Sequence, residues 1–282
     1  MKKIISFFQL IRWPNIVLLA VCQVFVFIIL QYNYHFSIEI KSYFLILTTC
    51  FSASAGYVIN DFFDTKIDYI NKPSHLIFVD TVFKRREILV IYYFFVFISQ
   101  LFASFISFKI FIIVLIINTL LWIYSYQLKT RFLVGNLLVA FLAATSVYFP
   151  ALLYAKPNRL LFIYALFAFF THFLREIIKD IEDSKGDFAA NAKTIPLVMG
   201  KRNTKTLMLS LILIFAFFNM VLYFYAGFEV IKYLCLIVNL YLAYVYFRLY
   251  KADTQKDFHI ISTHFKLILS IGILSMPICI WV

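Results

Sequence analysis

A chain of 282 residues that is 63% hydrophobic and 14% charged, with a mean hydropathy of +0.90, cannot hide its apolar surface as a water-soluble globule. Apolar runs long enough to cross a bilayer recur along its whole length, which predicts an all-α, polytopic membrane helix bundle. The net charge of +12 does not point to nucleic acid: the basic residues lie in short connections between apolar runs, where topology and anionic headgroups account for them, and neither an aromatic-basic RNA motif nor zinc-finger spacing is present.

Nine spans are predicted, at 16–32, 42–62, 88–107, 109–124, 133–154, 160–178, 206–226, 231–249 and 265–282. The first begins after Pro14 and lacks a small-residue cleavage site, so it reads as a retained span rather than a signal peptide. The narrowest break falls near Phe108-Lys109. With the N-terminus on one side, 21 of the 26 Lys and Arg share that side, and only Lys41, Lys109, Lys156, Arg159 and Lys232 lie opposite. The positive-inside rule then places the N-terminus in the cytoplasm of a cell (inner) membrane protein and the C-terminus outside. No linker or low-complexity segment divides the chain, so residues 1–282 read as one domain. Cys22, Cys50, Cys235 and Cys279 stand singly in apolar segments and read as core or lipid-facing residues.

The end of the second span carries VINDFFDTKIDYINKP, in which Asp61, Asp64 and Asp68 stand at i, i+3 and i+7. The end of the sixth carries REIIKDIEDSKGD, in which Asp180, Asp183 and Asp187 repeat that spacing. At about 100° per residue each trio occupies roughly a 60° arc of a helix. Eight of the 14 acidic residues fall in these two runs, the other two being Glu176 and Glu182. Carboxylates crowded on one face repel one another unless a cation lies among them. Both runs fall on the predicted cytoplasmic side, so the duplicated spacing suggests two carboxylate-bearing halves whose rows face across a central cavity open to the cytoplasm. Such rows suit Mg²⁺, with one ion on each, and through it a phosphorylated substrate.

Basic and polar residues near the same face complete the candidate set. Arg12, Lys72, Lys129, Arg175, Lys179 and Lys193 can meet a multiply charged diphosphate, while Asn15 and Asn60 can orient phosphate oxygens or a metal-bound water. Lys129 follows a span ending in Tyr124 and Tyr126. Asn71-Lys72-Pro73 is expected to end the helix of the first run, and Gly186 that of the second, which would leave Asp187 just beyond it. His172 and Glu176, at i and i+4, are a possible metal pair, though a histidine near a helix end is more often structural. A subset of the 35 Phe and 19 Tyr could line an apolar tunnel, which the sequence alone cannot single out.

These residues resemble the UbiA superfamily of membrane prenyltransferases. NDFFDTKID looks like that family's NDxxDxxxD signature, followed by NKP, and DIEDSKGD is similar to its second aspartate motif. Arg175-Glu176, KTIPLVMGK, RWPN and YSYQLK extend the likeness over nearly the whole chain. The resemblance implies that Asn60, Asp61, Asp64 and Asp68, with Asp180, Asp183 and Asp187, bind the Mg²⁺–diphosphate of a prenyl diphosphate donor, with Lys129 and Arg175 contacting diphosphate or acceptor. It implies transfer of the prenyl chain to a lipophilic acceptor through a carbocation-like transition state. The pattern looks most like the geranylgeranylglycerol-phosphate geranylgeranyltransferase branch, which alkylates a lipid glycerol hydroxyl. An aromatic acceptor of quinone synthesis, 4-hydroxybenzoate or a naphthoate, is the nearest alternative. Ser74-His75-Leu76 stands where many members carry an Arg, a contact that Lys72 or Lys84 to Arg86 would have to supply.

Two other classes fit the sequence less well. A CDP-alcohol phosphotransferase needs a continuous DG…AR…G motif, which neither acidic run contains. A divalent-cation transporter would be expected to place carboxylates near the bilayer midplane rather than at cytoplasmic helix ends.

Overall fold

The computed structural model describes residues 2–34, 39–71, 79–154, 158–225 and 227–280. In chain order these form α1 (Lys2–Leu10), α2 (Trp13–Tyr34), α3 (Ile40–Asn71), α4 (Arg85–Ile106), α5 (Phe108–Tyr126) and a 3₁₀ turn (Leu128–Thr130). Then follow α6 (Val134–Leu153), α7 (Arg159–Ala189), α8 (Ile195–Met199), α9 (Lys201–Tyr225), α10 (Glu229–Lys251), α11 (Gln255–Ser275) and a last 3₁₀ turn (Pro277–Ile280). Among the described residues, nine helices are long and apolar enough to cross a membrane. All nine predicted spans are there, in an integral membrane protein.

Two helices run further than their apolar content. Helices α3 and α7 have 32 and 31 residues, hence about 45–48 Å at 1.5 Å per residue, against roughly 30 Å of hydrocarbon. Spans predicted to stop at 62 and 178 therefore continue for two to three turns, and those turns carry both acidic runs. The expectation for Gly186 is corrected. It lies inside α7, which continues to Ala189, so Asp187 is helical. A Cβ built on Gly186 would lie 2.4 Å from Asn71 Nδ2 and 2.9 Å from the Ile67 carbonyl oxygen. This glycine permits a close helix crossing; it does not end a helix.

The last span begins at Gln255, ten residues before the predicted start. Its start is set by a capping box: Thr254 Oγ1 accepts from the Asp257 amide (3.3 Å) and Asp257 Oδ2 accepts from the Thr254 amide (2.9 Å). Its polar first turns conceal that start from a hydropathy reading. The break near Phe108 is a single residue, Ser107, extended at φ −172°. It closes α4 and caps α5 by accepting from the Ile110 amide (3.2 Å).

The buried side chains form two apolar clusters. One, including Phe27, Leu161, Tyr164, Phe215 and Phe265, joins α2, α6, α7, α9, α10 and α11 with parts of α3, α4 and α5. The other, including Leu10, Ile59, Ile88 and Phe95, joins α1, α3 and α4. Helices α3 and α7 pack against each other. One polar contact inside the bundle follows from a proline. Pro150, within α6, has no N–H to give the Ser146 carbonyl one turn earlier. Gln23 Nε2 of α2 donates to that carbonyl instead (3.1 Å), and Gln23 Oε1 accepts from Thr49 Oγ1 of α3 (2.6 Å). Gln23 is wholly buried. Its amide removes the cost of an unpaired carbonyl in hydrocarbon and ties three helices together.

Candidate active site

Helix α3 presents Asp61, Asp64 and Asp68 from one side, as the i, i+3, i+7 spacing requires. Asp61 and Asp68 are buried, and Asp64 is half-buried. Burial of charge is tolerated only with partners. Arg12 Nη2 donates to Asp61 Oδ1 (3.1 Å), and its guanidinium lies 4.8 Å from the centre of the Tyr57 ring. Arg12 sits in the turn between α1 and α2 with a left-handed backbone (φ 51°), a conformation costly for a side-chain-bearing residue and found where function over-determines the fold. Burial pulls the Arg12 guanidinium down, but Asp61, Tyr57 and Asp68 together outweigh it and raise its pKa. Asn15, one turn into α2, donates to the Tyr57 hydroxyl (3.3 Å).

Asp64 has two partners. Asn60 Nδ2, one turn earlier on α3, donates to its Oδ2 (2.6 Å), and Lys129 Nζ forms an ion pair with its Oδ1. Lys129 stands on the 3₁₀ turn between α5 and α6. That turn packs on α6 only because Gly135 has no side chain: a Cβ there would lie 2.8 Å from Lys129 Cα and 2.9 Å from the Leu128 carbonyl oxygen. Burial lowers the Lys129 ammonium to about 7, opposed by Asp61 from the first row and Asp187 from the second. Carboxylates of both rows thus act on this one ammonium.

Helix α7 presents the second row. Asn136 Nδ2 of α6 donates to Asp180 Oδ2 (2.9 Å). One turn earlier, buried Glu176 accepts from Arg175 Nη1 (2.8 Å) and lies 3.8 Å from Lys179 Nζ. Glu176 thereby holds the two cations, and His172 Nδ1, one turn earlier, is buried without a hydrogen-bond partner among the described residues. Arg175 Nε is buried and likewise unpartnered among them, a donor of the kind an oxyanion uses. Glu182 accepts from His259 Nδ1 of α11 (2.8 Å).

The rows are joined at their far ends. Asn71 Nδ2 of α3 donates to the Asp183 carbonyl (2.9 Å), and its Oδ1 accepts from the Gly186 amide (3.0 Å). The Lys193 amide donates to the Thr130 carbonyl (2.7 Å), fixing the segment after α7 to the Lys129 turn. The side chain of Lys193 is exposed, unlike those of Lys129 and Arg175. Lys72 and Ser74-His75-Leu76 lie outside the described residues. Of the alternative cations, Arg85 pairs with Asp80 (3.3 Å) and Lys84 and Arg86 are exposed.

The donor set fits Mg²⁺. Among the described residues, no three Asp, Glu, His or Cys side chains close around a point as a protein-only metal cage would. Magnesium does not ask for one: it takes one or two carboxylates and completes its octahedron with water and substrate phosphate oxygens. Rows of hard oxygen donors beside Lys129, Arg12 and Arg175 match that requirement.

A profile of the UbiA prenyltransferase family matches residues 18–268. The chain belongs to the UbiA prenyltransferase family. It is similar to digeranylgeranylglyceryl phosphate synthase of Methanosphaera stadtmanae, at 31% identity over 265 residues covering 93% of this chain and 94% of that one. The same enzyme of Methanobrevibacter smithii is 34% identical over 250 residues, 84% of each chain. A solved structure of digeranylgeranylglyceryl phosphate synthase superposes with a TM-score of 0.70 at 23% identity, covering 100% of both chains. A UbiA homologue from Archaeoglobus fulgidus, bound to GPP and Mg²⁺, superposes with a TM-score of 0.69 at 18% identity, covering 98% of this chain and 100% of that one. This is a membrane prenyltransferase with the UbiA fold.

For this family member, sequence reasoning passed over four residues that shape the site: Tyr57, Asn71, Gly135 and Asn136. Asn71 carried a legible signal, since it stands three residues beyond Asp68 and continues the same helix face. Asn136 and Gly135 belong to a helix whose relation to α7 no local pattern reveals.

Proposed function

We propose that this prenyltransferase moves a geranylgeranyl chain from its diphosphate to the free hydroxyl of geranylgeranylglyceryl phosphate. The relatives' shared name supports the acceptor, and they cover most of the chain. The hydroxyl oxygen bonds to C1 of the prenyl chain, the bond from C1 to the diphosphate oxygen breaks, and the hydroxyl proton is released. The observation that carries the reading is Lys129: it pairs with Asp64 of the first row, and its turn is bound to the segment after the second row by the Lys193 amide on the Thr130 carbonyl.

In this reading Asp64, Asp68, Asp183 and Asp187 hold the metal-bound diphosphate, with Asn60, Asp61 and Asp180 completing the two rows. Mg²⁺, one ion per row, supplies neutralisation of the diphosphate and of the charge that collects on it as C1–O breaks. Lys129 and Arg175 donate to diphosphate oxygens, and Lys179 supports Arg175 through their common partner Glu176. Arg12, fixed by Asp61, and Asn15 stand at the α1–α2 side of the first row and bind donor or acceptor phosphate. Lys72 and Lys193 follow the two rows in sequence and add positive potential for anionic substrates. Residues 1–282 act as a single domain around a cavity open to the cytoplasm, with the C-terminus outside the cell membrane. The bias of Lys and Arg toward the side of both rows supports that orientation.

Membranes containing the protein, given a labelled series of prenyl diphosphates and a panel of acceptors, test the reading. A product with the mass of digeranylgeranylglyceryl phosphate, formed only with Mg²⁺, is expected. Prenylated 4-hydroxybenzoate or naphthoate in its place would overturn the acceptor assignment.

A further inference from the structure

The face that carries the first row does not stop at Asp68. Asp61, Asp64, Asp68 and Asn71 stand at i, i+3, i+7 and i+10, so the asparagine emerges on the same side of α3, in its final turn. It meets α7 inside the second row. Its amide spans a single stretch of that helix, donating to the Asp183 carbonyl at 2.9 Å and accepting from the Gly186 amide at 3.0 Å. The two bonds fix which way the amide points, because the flipped amide would set N–H against N–H and oxygen against oxygen. Gly186 makes the approach possible, since a methyl group there would lie 2.4 Å from Asn71 Nδ2 and 2.9 Å from the Ile67 carbonyl oxygen.

We infer that Asn71 and Gly186 form a clamp that sets the axial register and separation of the two carboxylate helices, making Asn71 a positioning residue for prenyl transfer. Both bonds go to backbone atoms of α7, so they hold the helix itself rather than one movable side chain. Sliding α7 by one residue would shift Asp183 by about 1.5 Å and turn it by about 100°. Misplacement of about 1 Å at a reacting centre can cost roughly a hundredfold in rate. Each row contributes only part of the coordination in the proposed site, so an error in their spacing falls directly on the bound diphosphate. The inference rests on the reading that both rows hold one diphosphate.

The test pairs kinetics with a distance that does not depend on activity. Spin labels are attached at exposed positions 69 and 185, which flank the clamp on α3 and α7, in a background with the four native cysteines replaced by alanine. Asn71→Ala is expected to broaden or shift the label distance, lower kcat by about tenfold or more, and raise the Mg²⁺ concentration for half activity several-fold. KM for the acceptor should stay within about twofold. Asn71→Asp, the same shape with the donor lost and a carboxylate facing the Asp183 carbonyl, should behave alike; it carries the test if the alanine variant fails to accumulate. Gly186→Ala should also lose rate, and less than additively when combined with Asn71→Ala, because the smaller residue gives the methyl room. A wild-type label distance or a wild-type Mg²⁺ requirement in both Asn71 variants overturns the clamp. Full turnover by Asp64→Asn and Asp183→Asn would instead remove the two-row reading, and the label distance would still decide whether Asn71 holds the helices.

Discussion

The two carboxylate rows share a spacing and differ in what surrounds them. The first is tied to cations from distant parts of the chain: Arg12 from the α1–α2 turn meets Asp61, and Lys129 from the α5–α6 turn meets Asp64. The second meets a neutral amide, Asn136, at Asp180, and beside it Glu176 holds Arg175 and Lys179 of the same helix. Identical periodicity therefore does not give identical electrostatics. Cations reach the first row from distant parts of the chain, whereas two of those beside the second stand on its own helix.

That contrast can be attacked at several points. The largest effect is expected where the rows act alike. Asp64→Asn and Asp183→Asn should each lower kcat by about a thousandfold or more, roughly 4 kcal/mol, with the protein still folded in the membrane; diphosphate release measures it. Lys129→Ala should follow at about a hundredfold, since it removes a cation acted on by both rows and leaves half-buried Asp64 without its ion pair.

A smaller pair of effects sharpens the difference between the rows. Arg12→Ala removes a charged partner and should raise the KM for the donor by about tenfold. Asn136→Ala removes a neutral one and should cost only a few-fold. Equal losses would mean that the two environments are equivalent. The smallest effect lies away from both rows. Gln23→Leu should lower stability by about 0.5–1.5 kcal/mol in detergent, with kcat unchanged. In a Pro150→Ala background, where the Ser146 carbonyl regains its helical donor, most of that loss should disappear.

The sequence made the architecture readable because two signals were strong. Hydropathy separated nine spans, and six aspartates at helical spacing marked one side of the bundle. Where the reading failed, hydropathy had been asked to set helix ends. Helix α3 continues to Asn71 and α7 to Ala189 because nothing in TKIDYIN or KDIEDSKGDFA breaks a helix, although both are too polar to count as membrane. Residues 255–264 escape a hydropathy reading for the same reason, their start being set by the Thr254–Asp257 cap. Gly186 was read by the common rule for glycine near a helix end, but its backbone is helical and its missing Cβ is used for contact. Lys129 was found from its place after Tyr124 and Tyr126, whereas Gly135 and Asn136, which hold it and the second row, depend on how α6 lies on α7. That packing is tertiary information, absent from any local window.

The central claim is that one diphosphate is held by both rows at once. It is tested most directly by Mg²⁺-dependent binding of a non-reactive prenyl diphosphate analogue to the wild type, Asp64→Asn, Asp183→Asn and the double variant. Each single substitution is expected to weaken binding by about a hundredfold, with the double variant little worse than either, the signature of groups acting on a shared ligand. Unchanged affinity in Asp183→Asn, or losses that simply multiply in the double variant, would contradict it.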